Sequence, residues 1–111
     1  MDDRAARIGQ NEALFREVND RIERVSETLQ LTTERIAILC ECGDSECVER
    51  IEVALPEYER VRADSALFFV RSGHELADVE DVVEQHDDYD VVRKKAGAPE
   101  ALARELDDRN N

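Results

Sequence analysis

The stretch Ile-Ala-Ile-Leu-Cys-Glu-Cys-Gly-Asp-Ser-Glu-Cys-Val-Glu-Arg-Ile-Glu-Val-Ala-Leu, residues 36–55, decides the fold. Its first five residues are a continuous apolar run containing two isoleucines, which suits a buried strand from Ile36 to Cys40. Its end alternates Ile51, Val53 and Leu55 with Arg50, Glu52 and Ala54, the pattern of a strand with one face buried. Gly43, Asp44 and Ser45 between them are turn residues. The two runs therefore predict a hairpin whose tip carries Cys40, Cys42 and Cys47.

Thiolates bind the borderline-soft zinc ion strongly, and a turn between them brings donors together without a long loop to order. Cys40 and Cys42, two positions apart, project from one face of a strand, and Cys47 returns across the turn. A closed structural site needs a fourth donor, and the chain has only two histidines, His74 and His86. His74 follows Gly73 at a strand end, where a loop folds back over the hairpin, so it is the expected fourth ligand. His86 is the alternative, with a competing place on an apolar face; Asp44 or Glu46 would supply a carboxylate instead. The expected set is Cys40, Cys42, Cys47 and His74 around one structural Zn²⁺. Small buried thiols with no metal are the plain alternative. An iron–sulfur cluster would be one thiolate short. Pairing of the three thiols on oxidation is the better competitor. Glu41, Asp44 and Glu46 should raise the thiol pKa values, which argues against a free reactive cysteine.

Outward from this centre, residues 1–30 read as an amphipathic helix, 31–95 as an α+β metal-binding unit, and 96–111 as a weak helix with a polar tail. The expected architecture is a long N-terminal amphipathic helix packed on a small zinc-pinned β-sheet with short helices. Phe15, Val18, Ile22, Val25 and Leu29 follow one another at 3-4-3-4 spacing, a narrow seam expected to lie on the domain's own sheet. A homodimer through this helix is the alternative, with Asn11 fixing its register. Pro56 opens a short helix to about Arg62, and Leu67 to Arg71 reads as a third strand. Val79, Val82, Val83 and His86 fall at i, i+3, i+4 and i+7, which predicts a helix capped by Asp78, with a hairpin as the other possibility. Tyr89 to Arg93 is the last strand expected, before a helix from Pro99 to Leu106.

The 28 acidic residues against 15 basic ones give a formal net charge of −13, which repels nucleic-acid phosphates and anionic membranes. Eight acids and no Lys or Arg lie between Glu75 and Asp90; a solvated face is the reading preferred over a dock for a basic partner. No apolar run suits a membrane span or a secretion signal, so the expected location is the cytoplasm. Three cysteines within eight positions are poor arithmetic for disulfides and suit a metal site in a reducing compartment.

The run Leu39-Cys-Glu-Cys-Gly with Cys47, then Glu57, Tyr58, Val61 and Arg62, then Phe69, Val70, Gly73, His74 and Glu75, then Val82, Val83, Tyr89, Val91 and Val92 resembles an uncharacterised family of short bacterial proteins. Its marks are an apolar-Cys-Glu-Cys-Gly-x3-Cys motif and a downstream Gly-His-Glu turn, and the likeness covers most of residues 11–95. Ser72 and the Leu55-Pro56 helix start depart from it, without touching a candidate ligand. The resemblance implies a shared compact unit and no reaction.

Glu75 beside His74 and Glu41 between two cysteines are the only candidates for a base near zinc, and their order is not that of zinc deaminases. No phosphate-binding glycine loop or nucleophile-and-base arrangement is present. The expectation is a zinc-binding protein-interaction or regulatory module without catalysis, its protein partner unspecified. A redox or metal-sensing switch is the first alternative, and an acidic nucleic-acid mimic that occupies a basic protein is the second.

Overall fold

The computed structural model describes residues 3–28 and 35–110. Helix α1 spans Asp3–Thr28; strands β1, Arg35–Leu39, and β2, Arg50–Ala54, pair antiparallel with Ile36 opposite Val53 and Ile38 opposite Ile51. Helix α2, Leu55–Arg62, follows β2 without a break, Pro56 in its first turn supplying a φ already suited to a helix start. Strands β3, Leu67–Arg71, β4, Glu80–Gln85, and β5, Tyr89–Lys94, form a second antiparallel sheet in the order β3-β5-β4. Helix α3, Ala98–Glu105, and a short 3-10 turn, Asp108–Asn110, close the chain. The architecture is α+β, as the sequence predicts. Among the described residues no helix is long and apolar enough to cross a membrane.

The apolar core is shared by both sheets. Ile36, Ile38, Ile51 and Val53 belong to one cluster with Tyr58 and Val61 of α2 and Phe68, Phe69, Val70, Val91 and Val92 of the second sheet. The Tyr58 and Phe69 rings stack with centroids 5.7 Å apart. Each such side chain contributes about 1.5–3 kcal/mol on leaving water. The segment joining β1 to β2 ties the sheets together: the Glu41 N–H donates to the Phe69 carbonyl at 2.7 Å, and the Phe69 N–H to the Glu41 carboxylate at 3.0 Å.

Two expectations fail. The helix expected across Val79 to His86 is strand β4, so the hairpin alternative holds. Burial alternates along β4 through a register shift between Val82 and Glu84, with Val82 half-buried and Val83 48% exposed, so the helix-like valine spacing does not mark one buried face.

The second failure concerns α1, which does cover the domain, but with the wrong face. Glu12, Arg16, Asn19, Asp20, Glu23 and Ser26 are buried, whereas Phe15, Val18 and Ile22 are half-buried and Val25 is 56% exposed. Leu29 lies outside the described residues. The reason is what α1 meets. It crosses strand and helix ends whose backbone groups need partners, and apolar side chains would leave them orphaned. Asn19 donates to the Leu39 carbonyl and accepts from the Leu39 N–H, at 2.9 and 2.8 Å. Arg16 donates to the carbonyls of Ser65 and Ala103, with its guanidinium 4.3 Å from the centre of the Phe68 ring. Lys94 bridges Glu12 and Glu80 at 2.6 and 2.9 Å, and Arg62 bridges Asp20 and Asp107, each at 2.8 Å. Asp107, placed by its sequence in a polar tail, is 1% exposed and belongs to this buried lattice.

Candidate metal centre

Cys40 stands just past the end of β1, where its N–H still pairs with the Glu49 carbonyl at 2.9 Å. The ten residues from Cys40 to Glu49 form a broader loop than a tight hairpin. Asp44 shapes it: its carboxylate accepts from the Glu46 N–H at 2.9 Å, and its carbonyl from the Cys47 N–H at 3.1 Å. This turn swings Cys47 back toward Cys40 and Cys42. Gly43 lies against α1 and the following loop so closely that a Cβ there would sit 2.7 Å from Ile8 Cγ2. Asn11 of α1 donates to the Gly43 carbonyl at 3.2 Å.

His74 arrives from the other sheet. Gly73 takes φ +88, a left-handed conformation that favours glycine, and the His74 N–H bonds the Arg71 carbonyl at 2.9 Å to close the turn after β3. His74 Nδ1 then lies 3.5 Å from Cys40 Sγ and 3.7 Å from Cys47 Sγ. Cys40, Cys42, Cys47 and His74 each offer one donor atom, all within 4.8 Å of one another, a group able to hold a metal ion. Cys40 and Cys42 are buried; Cys47 and His74 are half-buried.

The backbone is arranged for charged sulfur. The N–H groups of Cys42, Asp44 and Glu49 donate to Cys40, Cys42 and Cys47, each to the sulfur two residues before it. Arg71 adds a fourth donor to Cys40 at 3.2 Å. The hydrogen bond from Cys40, backed by the Asp44 N–H, His74 and Cys47, pulls the Cys42 thiol down to about 5. Cys40 is held up, chiefly because it donates to Cys42 and because it is buried. Burial also raises Cys47. The sequence predicts that the flanking acids raise all three; instead the hydrogen bond to Cys42 and burial raise Cys40, burial raises Cys47, and at Cys42 the hydrogen bonds outweigh burial. Glu41 in particular is turned away from the sulfurs: it is fully buried, and its carboxylate accepts from Asn19 at 2.8 Å as well as from Phe69.

His86 is elsewhere. It is exposed on the β4–β5 turn, its Nε2 3.0 Å from Glu84 and its ring 4.4 Å from that of Tyr89. Glu57, Glu84 and His86 also cluster, but the Arg60 guanidinium pairs with both carboxylates and takes the place a cation would fill. Asp44 and Glu46, the carboxylate alternatives, serve the loop turn through the Asp44 side chain and the Glu46 N–H.

Sequence reasoning missed the support behind the cluster. Asn11, Asn19 and the inward Glu41 hold the cysteine-bearing loop against α1, yet in the sequence Asn11 reads as part of the apolar seam, Asn19 lies outside that seam and Glu41 reads as an acidic flank. No protein-family model, curated protein or solved structure matches the chain.

Proposed function

We propose that this chain is a small zinc-anchored protein-interaction or regulatory module without catalysis. One observation carries the reading. A tetrahedral zinc ion with Zn–S of about 2.3 Å and Zn–N of about 2.0–2.1 Å sets its nitrogen about 3.6 Å from each sulfur. His74 Nδ1 stands 3.5 and 3.7 Å from two of the three sulfurs. Three thiolates and one imidazole fill a tetrahedral site with protein donors, the composition of structural zinc and not of catalytic zinc, which keeps an open position. Neutral imidazole and sulfurs braced by N–H donors suit this ion better than calcium or magnesium, which take oxygen ligands.

Such a site joins the two sheets at the point where α1 crosses them, which supports an anchoring role. The test is metal content with folding. Protein purified without chelator should carry one zinc per chain, and Cys42→Ser should lose both the metal and cooperative unfolding. A metal-free protein that melts as cooperatively as the purified one would rule the anchor out.

The accessibility of Cys47 and the acidity of Cys42 favour a second reading, a redox or metal-sensing switch in which oxidation pairs two thiols and releases the ion. Mild peroxide should then release zinc reversibly. Retention of zinc at peroxide levels that oxidise free cysteine would exclude it.

A further inference from the structure

Helix α1 is inside out. Its inward face is charged and hydrogen-bonded, while Leu14 and Val25 are each 56% exposed and Val18 and Ile22 between them are half-buried. These four residues, at 4-4-3 spacing, form one stripe along the outside of the helix. Stripes of this kind on a helix surface serve to receive a second helix.

We infer that this stripe docks an acidic amphipathic helix of another protein, which deepens the interaction-module reading by giving it a surface and a partner chemistry. Charge selects the occupant. The chain carries −13 overall, but the exposed charged residues described on α1 are Arg4, Arg7, Arg21, Arg24 and a single acid, Asp3, with Glu17 half-exposed beside Arg21. Arg4 is paired with Asp78 and Arg21 with Glu17, while Arg7 and Arg24 have no ion pair among the described residues. Arg7 lies two turns before Leu14 and Arg21 stands beside the second half of the stripe, fourteen residues or about 21 Å apart along the helix. A partner helix with an apolar seam of about three turns and carboxylates set to meet Arg7 before the stripe and Arg21 beside it matches that layout. A second copy does not, because it would set two arginine-bearing faces against each other.

The test uses the full chain and two labelled synthetic helical peptides with the same leucine seam, one flanked by Glu and one by Lys, read by fluorescence anisotropy. The Glu-flanked peptide should bind and weaken with added salt, and the Lys-flanked peptide should not bind. A Leu14→Glu and Val25→Glu double variant, altered only at exposed positions, should keep its circular dichroism and lose at least tenfold in affinity. Arg7→Glu with Arg21→Glu should reverse the preference between peptides. Equal binding of both peptides, binding of neither, or a wild-type dimer in sedimentation that Leu14→Glu dissociates would overturn the inference. Zinc measured on the same samples separates the two readings. Zinc-loaded protein that binds neither peptide removes the docking surface alone, and metal-free protein that binds the Glu-flanked peptide removes the zinc anchor alone.

Discussion

Helix α1 is fastened at two places by different chemistry. Near its middle, the uncharged side chains of Asn11 and Asn19 hold the loop that carries Cys40 and Cys42 through hydrogen bonds to Gly43, Leu39 and Glu41. In its second half, Asp20 meets Arg62, Tyr58 and Arg109 in a lattice of buried charge, with Asp107 on the far side of Arg62. The first fastening depends on a loop with no regular structure, so it needs something to pin it, and the Cys/His cluster stands where such a pin would act. The second is built on α2 and the turn after α3 and needs no ion. Perturbations of the two should therefore separate cleanly.

Arg62 should show the largest effect. Its side chain is fully buried between Asp20 and Asp107, and Arg62→Ala strands two carboxylates, so urea unfolding should show a loss of about 3–5 kcal/mol with zinc content unchanged. The same carboxylates set an acid limit. Burial pushes Asp20 and Asp107 up, but hydrogen bonds from Arg62, with Tyr58 for Asp20 and Ser65 for Asp107, outweigh it and hold both well below the usual range. A depressed folded-state pKa contributes stability above the unfolded value of about 3.9 that is lost as pH falls through the folded one, so melting temperature should drop steeply below about pH 4. Arg62→Ala should flatten that limb.

Asn19→Ala should cost less, on the order of 1–3 kcal/mol, because it leaves the Leu39 backbone and buried Glu41 short of partners. Unlike Arg62→Ala, it should also weaken zinc retention against a competing chelator, since it frees the cysteine loop. Equal zinc affinity in the two variants would erase the distinction between the fastenings.

Glu12 should behave in the opposite sense to Asp20. Burial raises its carboxyl well above the usual range, with Lys94 opposing and the facing Glu80 adding to the rise. A raised carboxyl contributes stability that is complete below the unfolded value of about 4.3 and is lost as pH rises through the folded one. Glu12→Gln should thus match or exceed wild-type stability at pH 8 and give no gain at pH 4. The smallest effect belongs to His86→Ala, at an exposed position away from the cysteines, where zinc content should be unchanged and stability within about 0.5 kcal/mol.

Much of this was legible in the chain. The strands at Ile36, Ile51, Leu67 and Tyr89 announce themselves by β-branched and aromatic runs, and α2 by its proline. The cysteine spacing and Gly73 before His74 pointed to the cluster that the fold brings together. Strand β4 was hidden because it exposes Val83 and buries Glu80, so its apolar residues do not follow the strand's alternation and Val79, Val82 and Val83 imitate a helix. The polar inner face of α1 was hidden for a different reason. Its partners Arg62, Lys94 and Arg109 lie 42, 82 and 89 positions away from the residues they bind, and a local pattern assigns charged residues to solvent unless their counterions are known. Val18, Ile22 and Val25 were legible as part of one seam with Phe15 and Leu29, but its direction was read from hydrophobicity alone.

Zinc K-edge X-ray absorption on the purified chain reads the first shell of the proposed ion, three sulfurs and one imidazole. The account predicts three sulfur neighbours at about 2.3 Å and one nitrogen at about 2.0–2.1 Å, with the nitrogen lost in His74→Ala and kept in His86→Ala. A first shell of oxygen and nitrogen without sulfur, or a spectrum that His74→Ala leaves unchanged, would contradict it.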